Sequence, residues 1–149
     1  TAAPIAARHG LSVEVDEGLN EIDCGDWTGK RFDELPGDPR WADWNRHRES
    51  ASTPGGETMR AVRSRAMDAV RRHGAASGRH GAASGRHGTA DPTVAVVSHS
   101  DVIKAVVCGV LGLSLDRHDA FAVDPASITT LHIWGETMRV ARLNEAVGG

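Results

Sequence analysis

The stretch Thr93-Val94-Ala95-Val96-Val97-Ser98-His99-Ser100 admits few folds. Its β-branched residues favour extended backbone, and a run without polar alternation is the mark of a strand buried on both faces, as in a parallel sheet. Asp101 to Leu113 then reads as an apolar helix closed near Gly112. A strand, a helix and later strands together imply an α/β layer fold. In open α/β sheets, ligands gather beyond the carboxyl ends of the strands, and His99 stands at such an end. The amides that open the following helix attract anions, and a histidine beside them adds charge or a donor. The plainer alternative is a core histidine with Ser100 or Asp101 as the helix cap.

The rest of the chain supplies matching pieces. Thr1 to His9 reads as a helix ended by Gly10, and Leu11 to Asp16 as a short extended piece. Gly18 to Leu35 is a loop before a short helix, with Gly25 and Gly29 on either side of Trp27. Residues 36–57 form an irregular excursion rich in proline, glycine, tryptophan and arginine. Trp41 and Trp44, among Arg40, Arg46 and Arg48, either close over a substrate phosphate or form a small satellite core. Thr58 to His73 is a helix whose apolar stripe is Met59, Val62, Ala66, Ala69 and Val70, with arginines on the other face. Ser127 to Trp134 and Met138 to Asn144 are strands of a hairpin around Gly135-Glu136-Thr137. The length suits a single domain over residues 1–149.

Arg-His-Gly occurs at Arg8, Arg72, Arg79 and Arg86. The last three belong to a tandem RHGAASG unit that lacks large apolar residues, and its glycines oppose a helix. Residues 74–90 are therefore expected to be a flexible linker. A regular histidine spacing also suggests metal binding through His73, His80 and His87. His9 lies at a helix end, where it interacts with free carbonyls. None of the four copies is placed to be catalytic.

The net charge of −3 gives no basic surface for nucleic acid. The longest apolar run, Val102 to Leu115, contains Lys104 and is too short to cross a bilayer. Cys24 and Cys108 fit no metal spacing and read as reduced thiols, so a cytoplasmic location is expected. Glu21, in a glycine-rich loop with a tryptophan, is a candidate general acid; an exposed loop carboxylate is the plainer reading. Glu57 opens the 58–73 helix and suits its N-terminus.

LNEIDCGDWTGK, then PGGET before a helix, then VVSHSDVIKAV, taken in order, resemble the histidine phosphatase superfamily, also called phosphoglycerate mutase-like. The resemblance runs from TAAPIAARHGL to RVARLNE. It implies a three-layer α/β sandwich with a mostly parallel sheet, incomplete at its N-terminus. It implies hydrolysis of small-molecule phosphomonoesters through a phosphohistidine, with no metal or other cofactor. Residue by residue, His99 takes the place of the phosphate-binding histidine and Glu21 that of the proton donor. The backbone amide of Ser100 is placed to touch the phosphate. Glu57 matches a common family position without a catalytic role.

The family's nucleophilic histidine and two phosphate-binding arginines belong upstream of the matched segments. The resemblance therefore implies a chain entered midway, lacking the first strand, first helix and second strand. A sheet without its central strand exposes an apolar edge, which predicts self-association through that edge. The alternative reading is a non-catalytic phosphate-binding or interaction module that keeps His99 and lacks the nucleophile.

Overall fold

The computed structural model describes residues 1–83 and 93–146. Four α-helices follow in order: α1 (Ala2–Arg8), α2 (Pro39–Arg46), α3 (Met59–Ala83) and α4 (Ser100–Leu111). A hairpin of β1 (Ser127–Trp134) and β2 (Thr137–Ala146) closes the described chain. Short 3-10 turns at Glu17–Leu19, Gly25–Trp27, Leu35–Gly37 and Leu115–Arg117 punctuate the loops.

Helices α3 and α4 carry the core. Met59, Val62, Ala66 and Ala69 are fully buried along α3, as the expected stripe requires, and Val102, Ala105, Val106 and Cys108 of α4 share the core with α3. Each fully buried valine or methionine contributes about 1.5–3 kcal/mol relative to exposure. Helix α4 ends at Gly112 in a left-handed conformation (φ 66°), where the amide of Leu113 donates back to the Cys108 carbonyl.

The same core continues into an aromatic group. Trp27 meets Trp41 edge to face at 5.3 Å and Trp44 at 6.4 Å, and its indole N–H donates to Asp38. Arg48 lies over the Trp44 ring at 4.5 Å, buried, and pairs with Asp101 at 3.1 Å. Of the two readings of these tryptophans, a packing role is the one observed, though as part of the main core and not as a satellite. Trp44 is buried and carries the arginine that reaches the start of α4.

Three expectations need correction. The sheet among the described residues is a two-stranded antiparallel hairpin, not a mostly parallel sheet. Residues 93–99, expected as a buried strand, belong to no sheet among the described residues, and Val94, Val96 and Val97 are 40–44% exposed. The β-branched run secures the backbone conformation; burial needs neighbouring strands, and none among the described residues lies beside it. The helix expected to stop at His73 runs on to Ala83. Residues 74–83 of the expected linker are thus helical, and 84–90 lie outside the described residues. Alanine and arginine favour the helix, and Gly74 seats on β1, where a Cβ would come within 2.8 Å of Ile133. That packing offsets the roughly 1 kcal/mol a helical glycine costs.

The Arg72-His73-Gly74 copy is structural. Asp16 accepts from Arg72 and from the His73 ring, both at 2.9 Å, and from the Gly18 amide at 2.8 Å. These bonds, the Gly18 amide foremost, lower the Asp16 pKa to about 2. The folded state therefore favours the ionised carboxylate. Its stabilisation is complete above pH 3.8 and is lost as pH falls toward about 2. Asp16→Asn should destabilise the protein at neutral pH, with the deficit shrinking through that window. Urea midpoints of both proteins across pH 2–7 measure it, and a pH-independent deficit would contradict it.

Candidate active site

Glu21 and His99 are brought together from far apart in sequence. Glu21 follows the 3-10 turn Glu17–Leu19, and His99 is the residue before α4, extended at φ −111°, ψ 162°. The His99 side chain makes no capping bond to the helix. Its Nδ1 lies 3.9 Å from Glu21 Oε2, within ion-pair range though too long for a direct hydrogen bond. Ser98, one residue earlier, donates to the Leu19 carbonyl at 2.7 Å and so ties the extended segment to the glutamate loop.

Two loops position Glu21. Residues 23–27 and 53–57 pack backbone on backbone. The Asp23 carbonyl accepts from the Glu57 amide and from the Thr53 hydroxyl, and Asp26 donates to the Pro54 carbonyl at 2.7 Å. A side chain at Gly56 would collide with the Asp23 carbonyl and the Thr53 hydroxyl. Gly25 sits at φ 52°, and a Cβ there would collide with the Pro54 carbonyl. The PGGET and LNEIDCGDW segments are thus one assembly in space.

The two carboxyls of this assembly titrate in opposite directions. Desolvation raises the Glu21 pKa above the ordinary glutamate value, and the nearby Asp101 charge adds to it. A hydrogen bond from the Ile22 amide at 2.9 Å and the His99 charge only partly oppose this. Glu57 is held below its ordinary value, chiefly by Arg65. Opposed environments of this kind separate a proton donor from an ionised structural carboxylate. Behind Glu21, burial pushes the Cys24 thiol up, which makes it a poor nucleophile.

The first amides of α4 have no intrahelical partner and open beside His99. The Ser100 hydroxyl turns away to the Val123 carbonyl at 3.4 Å. Helix amides, an exposed imidazole and a partly desolvated carboxyl can together hold an anion and give it a proton. His9 is not part of this group: it ends α1. His73 is held by Asp16, and His87 lies outside the described residues. Among the described residues, no cluster of three or more histidine, cysteine or acidic side chains could hold a metal ion. The larger surface groove, about 710 Å³ beside Arg60, Arg63 and Cys108, includes neither Glu21 nor His99. No helix among the described residues is long and apolar enough to cross a membrane.

Sequence reasoning missed Arg65 and Ser98, and it named Arg48 without its partner Asp101. Arg65 is one of several arginines on the polar side of α3, and no spacing distinguishes it from Arg60 or Arg63. Glu57 proves to act on the Asp23 amide; the hydroxyl that caps α3 is that of Thr58, accepting from Ala61.

The fold is a mixed arrangement of helices and strands in which a histidine and a partly desolvated glutamate meet at a helix start. The family model of the histidine phosphatase superfamily (branch 1) matches residues 1–146, and the chain belongs to that superfamily. It is 29% identical to phosphoserine phosphatase 1 of Hydrogenobacter thermophilus over 97% of this chain and 64% of that protein. The putative phosphoserine phosphatase 2 of the same organism is 25% identical, over 97% and 66%. The chain thus spans about two thirds of the length of these curated relatives. Among solved structures, mycobacterial glucosyl-3-phosphoglycerate phosphatase with inorganic phosphate matches at TM-score 0.77 and 28% identity, over 97% of this chain and 70% of that one. Bacillus stearothermophilus YhfR shares the fold at TM-score 0.81 and 24% identity, over 97% and 67%.

Because the two loops meet backbone to backbone, Gly56→Ala should cost about 1–3 kcal/mol, as overpacking does. Urea denaturation with an unchanged m-value is the measurement. A loss within about 0.5 kcal/mol, the scatter of surface changes, would mean that the brace yields freely.

Proposed function

We propose that this chain carries the acid and phosphate-holding side of a phosphomonoesterase that works through a phosphohistidine. The carrying observation is the approach of His99 and Glu21 to 3.9 Å at the start of α4, with the Glu21 pKa raised. In this reading His99 and the Ser100 amide hold the phosphoryl group, and Glu21 protonates the leaving oxygen. The nucleophile is a histidine other than His99. Covalent transfer splits one difficult displacement into two easier ones. Cationic and amide donors stabilise charge on the group in transit.

The substrate class is a small phosphate monoester. Support comes from the relatives, named for phosphoserine and for glucosyl-3-phosphoglycerate. On the same reading, the extended 93–99 segment is a strand of a three-layer α/β sandwich with a mostly parallel sheet. TM-scores of 0.77 and 0.81 support that assignment.

The test is to incubate the natural protein with a labelled phosphomonoester, quench it in alkali and map the label by peptide. An acid-labile label on a histidine other than His99 is expected. Label on His99 would make it the nucleophile. No label together with no hydrolysis would leave a non-catalytic phosphate-binding module.

Two substitutions divide the roles. Glu21→Gln should lower kcat about 100-fold or more on alkyl phosphates and much less on aryl phosphates, whose leaving groups need no proton. Equal losses on both would remove Glu21 as the acid. His99→Ala should weaken inhibition by inorganic phosphate while the thermal melt stays close to that of the parent. Unchanged phosphate inhibition would take His99 out of the phosphate site.

A further inference from the structure

Arg65 projects from the second turn of α3 and is largely buried, its side chain 22% exposed. Its guanidinium makes five contacts. Nε and one terminal nitrogen reach the two Glu57 carboxylate oxygens, both at 2.9 Å. The other terminal nitrogen donates to the Gly18 carbonyl at 2.9 Å and the Asn20 carbonyl at 2.7 Å. The Glu21 carbonyl accepts the fifth bond at 3.2 Å. An arginine has five N–H donors, so all of them are used. Glu57 in turn accepts from the Asp23 amide at 3.0 Å. The main chain from 18 to 23 is therefore fixed on both sides of Glu21, by arginine through three carbonyls and by glutamate through an amide.

We propose that Arg65, oriented by Glu57, is a positioning residue that holds the Glu21 carboxyl against His99. It acts through the backbone carbonyls of Gly18, Asn20 and Glu21. Lysine cannot replace it, because one ammonium cannot span a carboxylate and three carbonyls in a planar fork. The groups that face Glu21 are His99 and Asp101 at the start of α4, Arg65 on α3 and the Ile22 amide of its own loop. The kinetic part of this inference rests on the phosphatase reading above; the geometric part does not.

The test compares Arg65→Gln and Arg65→Lys in the natural protein by two readouts. The first is steady-state kinetics on alkyl and aryl phosphates. Both variants should lose about 100-fold in kcat on the alkyl ester, the scale of a misplaced catalytic group, with KM nearly unchanged and a smaller loss on the aryl ester. The second readout is the Glu21 titration midpoint, from ¹³C-carboxyl NMR of glutamate-labelled protein assigned with Glu21→Gln. A loosened loop admits water to the carboxyl, so the midpoint should fall toward that of an ordinary glutamate in both variants. Full activity in Arg65→Lys would show that charge alone suffices and overturn the proposal. So would a rise in KM at constant kcat, which would mark a substrate contact. An unmoved midpoint, or a raised one from simple loss of a positive charge, would overturn it too. If the parent hydrolyses no phosphomonoester, the phosphatase reading fails, and the midpoints still decide the role of Arg65.

Discussion

The main chain of residues 18–27 has almost no regular secondary structure of its own, so its polar groups must find partners elsewhere. That requirement governs the rest of the structure. Asp16 is fixed to α3 through Arg72 and His73, the carbonyls of Gly18, Asn20 and Glu21 are taken by Arg65, and that of Leu19 by Ser98. Asp23 and Asp26 bond to the 53–57 loop. An irregular loop is rigid when its backbone is satisfied this fully, and rigidity is what a side chain needs to serve at a site. Helix α3 is the common support: one face packs on α4 through Met59, Val62 and Ala66, and another presents arginines to the loop.

Much of this was legible in the sequence because it rests on local rules. The α3 stripe, the apolar α4 with its glycine stop and the β1–β2 hairpin follow from periodicity and turn chemistry; α4 and the hairpin were read within a few residues, while α3 runs ten residues past its expected end. Glu21 and His99 were found by motif, and the structure sets them side by side. Tertiary contacts decided the rest. Nothing local says that Gly74 seats on Ile133 and lets the helix continue, or that His73 serves Asp16. Residues 93–99 show the same division. Their valines specify an extended backbone, while pairing and burial depend on which strands lie alongside.

The tryptophans and Arg48 connect the aromatic cluster to the site. Arg48 is buried against Trp44 and ends on Asp101 in the first turn of α4. An acidic residue there suits the helix dipole, but it also stands near Glu21 and resists a second negative charge. Breaking this pair would leave the buried Arg48 guanidinium without its acidic partner. The 36–57 excursion is thus joined to the start of α4 through a structural pair.

Glu57 explains how an arginine can brace the Glu21 loop without drawing the Glu21 pKa below its ordinary value. A guanidinium close to Glu21 favours the ionised carboxylate and draws its pKa down, the opposite of what an acid needs. Arg65 does pull in that direction, yet desolvation outweighs it and the Glu21 pKa stays raised. The charge of Arg65 is already matched by Glu57, bound through two bonds at 2.9 Å and held ionised by them. What remains for the loop is the geometry of the fork, offered to neutral carbonyls. The second carboxylate thus has a function distinct from the first. It stays charged so that the arginine can be used for its shape, and Glu21 is left protonated at a higher pH than an exposed glutamate would be.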